Sequence, residues 1–171
     1  MRLHLSENQL QTQIRYFAYY EIASGILTTG FVVFLLAQTT SLLGLALLLY
    51  VGFLALTGFT IYCGYLTLKH PYRGLQLSRI SLMTQFLGFA AGGYSFRYFA
   101  GPFLAISADL TNDLILRAEF AFGEFNFKIN GSSDTLLLSI NAVAMLLFWR
   151  TTFWLNEWHI RYIKTRVLLA E

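Results

Sequence analysis

Residues Leu114 to Gly131 read LILRAEFAFGEFNFKING, and this stretch decides the expected fold. Side-chain character alternates up to Phe122 and again from Phe125 onward, with Gly123-Glu124 between the two runs. A period of two marks a strand whose faces meet different surroundings. A two-residue loop with Gly first suits a type II′ hairpin turn. Such a turn sets Phe122 opposite Phe125, Phe120 opposite Phe127, Ala118 opposite Ile129 and Glu119 opposite Lys128. One face of the expected hairpin then carries Leu116, Ala118, Phe120, Phe122, Phe125, Phe127 and Ile129. The other carries Arg117, Glu119, Asn126, Lys128 and Asn130, with the opposite charges of Glu119 and Lys128 paired across the strands. Phe103 to Leu110 alternates more weakly and is a candidate third strand, which extends the expected ribbon over 103–131.

Working outward, the hairpin lies between long apolar segments. The 171 residues are 56% hydrophobic and 12% charged, against about 25% charged in soluble domains. That is too little charge for a surface facing water on all sides. Four runs are expected to span a membrane, at about 14–37, 41–68, 78–99 and 135–155. The sequence thus predicts an all-α integral membrane protein in one domain, 1–171, with four transmembrane helices and a small outward β-hairpin between the third and fourth. Ser6-Glu-Asn-Gln9 has the form of a capping box opening the first helix. The polar residues before that helix lack the form of a cleavable leader, so the first run is expected to be a retained signal anchor. Lys69 to Gly74 breaks the second run from the third, Ser78 is a candidate cap for the third, and Gly101-Pro102 stops it.

The net charge of +3 suggests nucleic acid in a soluble protein, but here it reads as topology. Arg2, Arg15, Lys69, Arg73, Arg79, Arg161, Lys164 and Arg166 fall on one side of the expected bundle. The ribbon segment holds Arg117 and Lys128 among five acids: Asp109, Asp113, Glu119, Glu124 and Asp134. The positive-inside rule then puts both termini in the cytoplasm and the ribbon outside, most economically across a bacterial inner membrane.

Charges at membrane depth carry a functional expectation. Glu21 and Arg150 should lie at similar depth on the first and fourth runs, which predicts an intramembrane ion pair or packing clamp. Arg97 is expected to reach the outer interface or the acidic ribbon. Gly88 and Gly92 form a GxxxG pattern on the expected third helix and are candidates for close helix packing. His4, His70 and His159 come from three separate segments without ligand spacing, so no metal is expected. Cys63 cannot form an intramolecular disulfide, since it is the only cysteine, and it reads as a buried thiol. Asn130-Gly131-Ser132 fits a glycosylation sequon that matters only in a eukaryotic host. No nucleophile elbow, phosphate loop or dinucleotide fingerprint is present, and no cofactor is implied.

The chain is therefore expected to be a non-enzymatic accessory or assembly subunit of a larger membrane complex, with lipids and other membrane subunits as its partners. Phe120, Phe122, Phe125 and Phe127 are its expected contact residues. The alternative is a small homo-oligomeric transporter or channel, with Glu21, Arg150, Gln85 and Asn141 along its path.

Overall fold

The computed structural model describes residues 6–38, 44–111, 114–128 and 136–168. Helix α1, Glu7–Gln38, begins at the capping box read from the sequence. The Gln9 N–H donates to Ser6 Oγ at 3.3 Å and the Ser6 N–H donates to Gln9 Oε1 at 3.0 Å. Its 32 residues give a rod of roughly 48 Å. Helix α2, Leu45–Lys69, returns antiparallel along it. Gly25 lies against Thr57 and Ile61, and a Cβ on Gly64 would stand 2.7 Å from the Ala18 carbonyl oxygen. Glycine at both contacts lets the two backbones approach.

One residue, His70, separates α2 from α3, Pro71–Met83. Proline at the first helical position gives up only an N–H that would lack a helical partner anyway. Gly74 then packs so closely on Thr67 that any Cβ would overlap the Thr67 backbone. Ser81 and Thr60 join at 2.9 Å further along the same seam. Three helices thus fold back on one another before the chain turns to strand.

Strands β1, Leu87–Ala91, and β2, Tyr94–Asp109, meet at Gly92-Gly93. These glycines have φ of 58° and 84°, the two consecutive positive values that a type I′ hairpin turn requires. Strand β3, Ile115–Lys128, runs antiparallel along the whole of β2. Strand β4, Leu137–Asn141, pairs with β1 and with the far end of β2. Because β1 also pairs with the near end of β2, β1, β4 and the two ends of β2 close a ring. Helix α4, Ala142–Leu168, starts where Asn141 Oδ1 accepts the N–H groups of Val143 and Ala144, at 3.1 and 3.3 Å. It packs Trp154 against Phe17 of α1.

The four-span all-α expectation is overturned: among the described residues the chain combines four helices with a four-stranded antiparallel sheet. Two helices, Glu7–Gln38 and Leu47–Lys69, are long and apolar enough to cross a membrane among the described residues. The expected third span, 78–99, is the end of α3, all of β1 and the first part of β2. Its apolar residues alternate (Leu87, Phe89, Ala91, then Tyr94, Phe96, Tyr98), and the paired glycines permit the turn that a helix could not use. The expected fourth span, 135–155, is divided between β4 and the first half of α4.

The expected hairpin is corrected as well. Residues 115–128 form one strand, with Phe122 opposite Pro102 and Phe125 opposite Tyr98. Gly123 does take a positive φ, 69°, but it sits in a bulge, not a turn. Phe99 faces Glu124 and Pro102 faces Phe122, so Ala100 and Gly101 stand opposite Gly123 alone. Gly101 shares the left-handed conformation at φ 71°, and the double kink bends both long strands together. The third strand expected over 103–110 is part of β2.

Candidate functional site

Bending at Gly101 and Gly123 presses the corner of the sheet onto the middle of α1. A bulge leaves backbone N–H groups without ladder partners, and buried ones must be satisfied elsewhere. Here the Ala100 N–H donates to Gln85 Oε1 at 3.0 Å and the Gly101 N–H donates to Thr28 Oγ1 at 3.2 Å. The Tyr20 hydroxyl adds a long bond of 3.4 Å to the Pro102 carbonyl. Next to this corner Phe53 of α2 gathers Tyr98, Phe96 and Phe125, the last with ring centroids 3.5 Å apart. The sheet is therefore seated against α1 at residues 20–32 and against α2 near Phe53, alongside these helices and not beyond their ends.

The two faces of this sheet are reversed relative to a soluble barrel. Its inner side carries a charged network next to a small buried apolar cluster of Phe99, Phe103 and Ala105. Arg97 Nη1 donates to Glu124 Oε1 at 2.9 Å and to Glu119 Oε2 at 3.2 Å, and Nη2 donates to Ser139 Oγ at 2.9 Å. Gly88 makes room for it, since a Cβ there would meet the Arg97 side chain at 2.8 Å. Ser107 donates to the same Ser139 oxygen at 3.1 Å. Burial raises the Glu124 carboxyl above its ordinary range, and the bond from Arg97 offsets part of that. Asp109 is held below its ordinary range by the Thr111 hydroxyl and N–H. A cleft of about 300 Å³ opens beside Arg97, with Asp109, Asn126 and Lys128 in its wall.

The convex side is apolar. Where it leaves the helices, Leu116, Phe120 and Phe122 are 69%, 65% and 68% exposed, and Leu104, Ile106, Leu138 and Ile140 continue the same surface. Among the described residues β3 pairs only with β2, so its outer edge carries unpaired backbone groups along with these side chains.

The four phenylalanines expected to meet a partner part company at the bulge. Phe120 and Phe122 are outward and in contact with each other. Phe125 is packed on Phe53 and Tyr50, and Phe127 faces Phe96 across the strands. Gly88 and Gly92 pack no helices: one lies in β1 beneath Arg97 and the other forms the β1–β2 turn. Glu21 and Arg150 do not pair. Ser78 donates to Glu21 Oε2 at 2.6 Å, while Arg150 donates to Gln13 Oε1 at 2.9 Å and lies over the rings of Phe153 and Trp154. Ser78 is thus a mid-helix donor and not a cap. Gln85 and Asn141 serve the backbone at the bulge and at the start of α4. Arg97 does meet acidic residues, from a strand instead of a helix. His70 precedes α3, and His159 lies with Tyr72, Arg73 and Trp158 around a surface cleft. His4 and the sequon Asn130 to Ser132 fall outside the described residues.

Sequence reasoning missed the setting of Glu21. It is 2% exposed, and its Oε1 has no hydrogen-bond partner among the described residues. The buried stripe of α1 runs Leu10, Ile14, Phe17, Glu21, Ser24, Thr28. That spacing of three and four residues was the available signal. It places a carboxylate and two hydroxyls on the inward seam.

The chain matches no protein-family model, no curated protein and no solved structure.

Proposed function

We propose that the protein is a non-catalytic membrane subunit that works by assembly, using its two long helices to hold the apolar outside of the bent sheet against other membrane proteins. One observation carries this reading: the sheet keeps its charges within and is apolar without, and it lies beside the helices suited to crossing a membrane. An alternating sheet with its apolar face outward is the pattern of strands in contact with lipid or with a covering protein. Arg15, Lys69, Arg73 and Arg79 lie toward one end of the α1–α2 pair, which supports a cytoplasmic position for that end and, in bacteria, the inner membrane.

Photo-reactive side chains placed at Phe120 and at Phe122 in native membranes test the proposal. It calls for covalent adducts with polypeptide. Adducts with lipid alone at both positions would overturn it. The same group at Phe125, which lies against Phe53, gives the internal control.

Transport is a second reading, favoured by the buried Glu21 and its unpartnered oxygen. Ion or solute flux in reconstituted vesicles that disappears in Glu21→Gln would support it. Equal flux with and without the protein would remove it.

A further inference from the structure

The outer edge of β3 combines two features that conflict beside two helices long and apolar enough to cross a membrane. Leu116, Phe120 and Phe122 suit an apolar environment, yet among the described residues the backbone groups on that edge have no partner strand. In hydrocarbon an unsatisfied peptide group has no water to replace its missing partner, so an open edge does not face lipid. Another strand must pair with it.

The sequence of the edge says which strand. Up to the kink at Gly123, residues 114–122 read LILRAEFAF, and this segment is self-complementary about Ala118. Consider two copies paired antiparallel with their twofold axis at Ala118. Arg117 of each then faces Glu119 of the other, Leu116 faces Phe120, and Leu114 faces Phe122. Both charge pairs are favourable and both apolar pairs are large. A slip of one residue would put the apolar face of one copy beside the charged face of the other. Arg117 and Glu119 are exposed enough to turn to a new partner, with side chains 63% and 51% accessible, although each already touches one charge on its own sheet. Ala118 on the axis leaves space for the neighbouring Phe120 rings.

We infer that the protein forms a homodimer in which the 114–122 halves of two β3 strands pair antiparallel about Ala118, making one continuous sheet across the two copies. The inference rests on the assembly reading above and names its first partner as a second copy of the chain. Surfaces on the β1–β4 side, around Phe89, Leu138 and Ile140, stay open for other subunits.

Cysteine at the axis tests it. In a Cys63→Ala background, Ala118→Cys should form a covalent dimer on mild oxidation in native membranes, because residues directly opposite lie about 4.5–5.5 Å apart at Cβ. Leu114→Cys should not link to itself, since in this register the two positions are about 27 Å apart. Arg117→Glu should lower linking at residue 118 about tenfold by replacing two attractions with two repulsions. Adding Glu119→Arg should restore it, which a merely misfolded variant could not do. Efficient linking at 114 but not at 118 overturns the register and with it the proposal. If 118 never links while a photo-reactive group at Phe120 captures a different polypeptide, the second copy is wrong but assembly stands. If neither Phe120 nor Phe122 captures protein, both fail.

Discussion

Gly101→Ala probes the contact on which the placement of the sheet depends. Two costs can be separated. The backbone at Gly101 has φ 71°, and a Cβ in the left-handed region costs about 1–2 kcal/mol. The new methyl would also overlap Ser24 Oγ and stand 2.6 Å from Ser24 Cβ on α1. The hydroxyl can rotate away, but the Cβ moves only with the helix, and overpacking of this kind costs about 1–3 kcal/mol. Gly101→Ala should therefore destabilise by about 2–5 kcal/mol. Gly123→Ala bears the same conformational strain at φ 69°, but its methyl would meet only Thr28 Oγ1, at an ordinary 3.5 Å, so about 1–2 kcal/mol is expected. Ser24→Gly, which itself costs about 1 kcal/mol in a helix interior, should remove the overlap. The double variant Gly101→Ala/Ser24→Gly should then be more stable than the two single losses added together, by about 1–3 kcal/mol. Denaturant titration in detergent micelles, followed by tryptophan fluorescence, measures all four proteins. Equal losses at Gly101 and Gly123, with no coupling to Ser24, would mean that the corner of the sheet does not rest on α1.

Further outcomes follow from the same geometry. Arg97→Met leaves Glu124 in its half-buried place without the cation that partly offsets burial. Removing one partner of a buried pair costs about 3–5 kcal/mol, less here because both side chains keep some exposure. A carboxyl raised in the folded state loses stability as pH rises through its folded range, so the loss measured by denaturant titration should be larger at pH 8 than at pH 5. Asp109 has the opposite sign: its lowered carboxyl contributes above its ordinary range, and that contribution fades on acidification, as it should not in Asp109→Asn. Asn141→Ala removes the side-chain acceptor for two N–H groups at the start of α4 and should cost about 1 kcal/mol in the same titration. Phe53→Ala should cost about 3–5 kcal/mol, since this ring holds the sheet to α2. Phe120→Ser, at an exposed position, should leave the stability of the isolated chain within about 0.5 kcal/mol while weakening assembly.

Much of β3 was legible before its partner strand was. The sequence separates Phe120, Phe122, Phe125 and Phe127 from Glu119, Asn126 and Lys128 onto two faces, and the register with β2 keeps that separation. A two-residue turn and a bulge shift the alternation by the same amount at Gly123, so the pattern cannot distinguish them. Only the length of the facing strand does. That strand was hidden because Leu87 to Phe99 is apolar enough for a span, and Gly88 and Gly92 match a helix-contact spacing that masks the type I′ turn at Gly92-Gly93. The capping box at Ser6 was legible because it is local. The partner of Glu21 was not. Depth along a helix can be counted from sequence, but the direction a residue faces depends on which helices are neighbours. Ser78 reaches Glu21 because α3 folds back at Gly74, whose close approach to Thr67 is a tertiary fact.

The central claim is that the exposed apolar strip of β3 is covered in the native membrane. It is tested most directly by cysteine at position 120. In Phe120→Cys, with the buried Cys63 as the unreactive background, a membrane-impermeant thiol reagent should fail to label the protein in native membranes opened to expose both faces. It should label it readily once detergent has dissociated the assembly. Full labelling in the intact membrane, at the rate of an exposed thiol, would contradict the account.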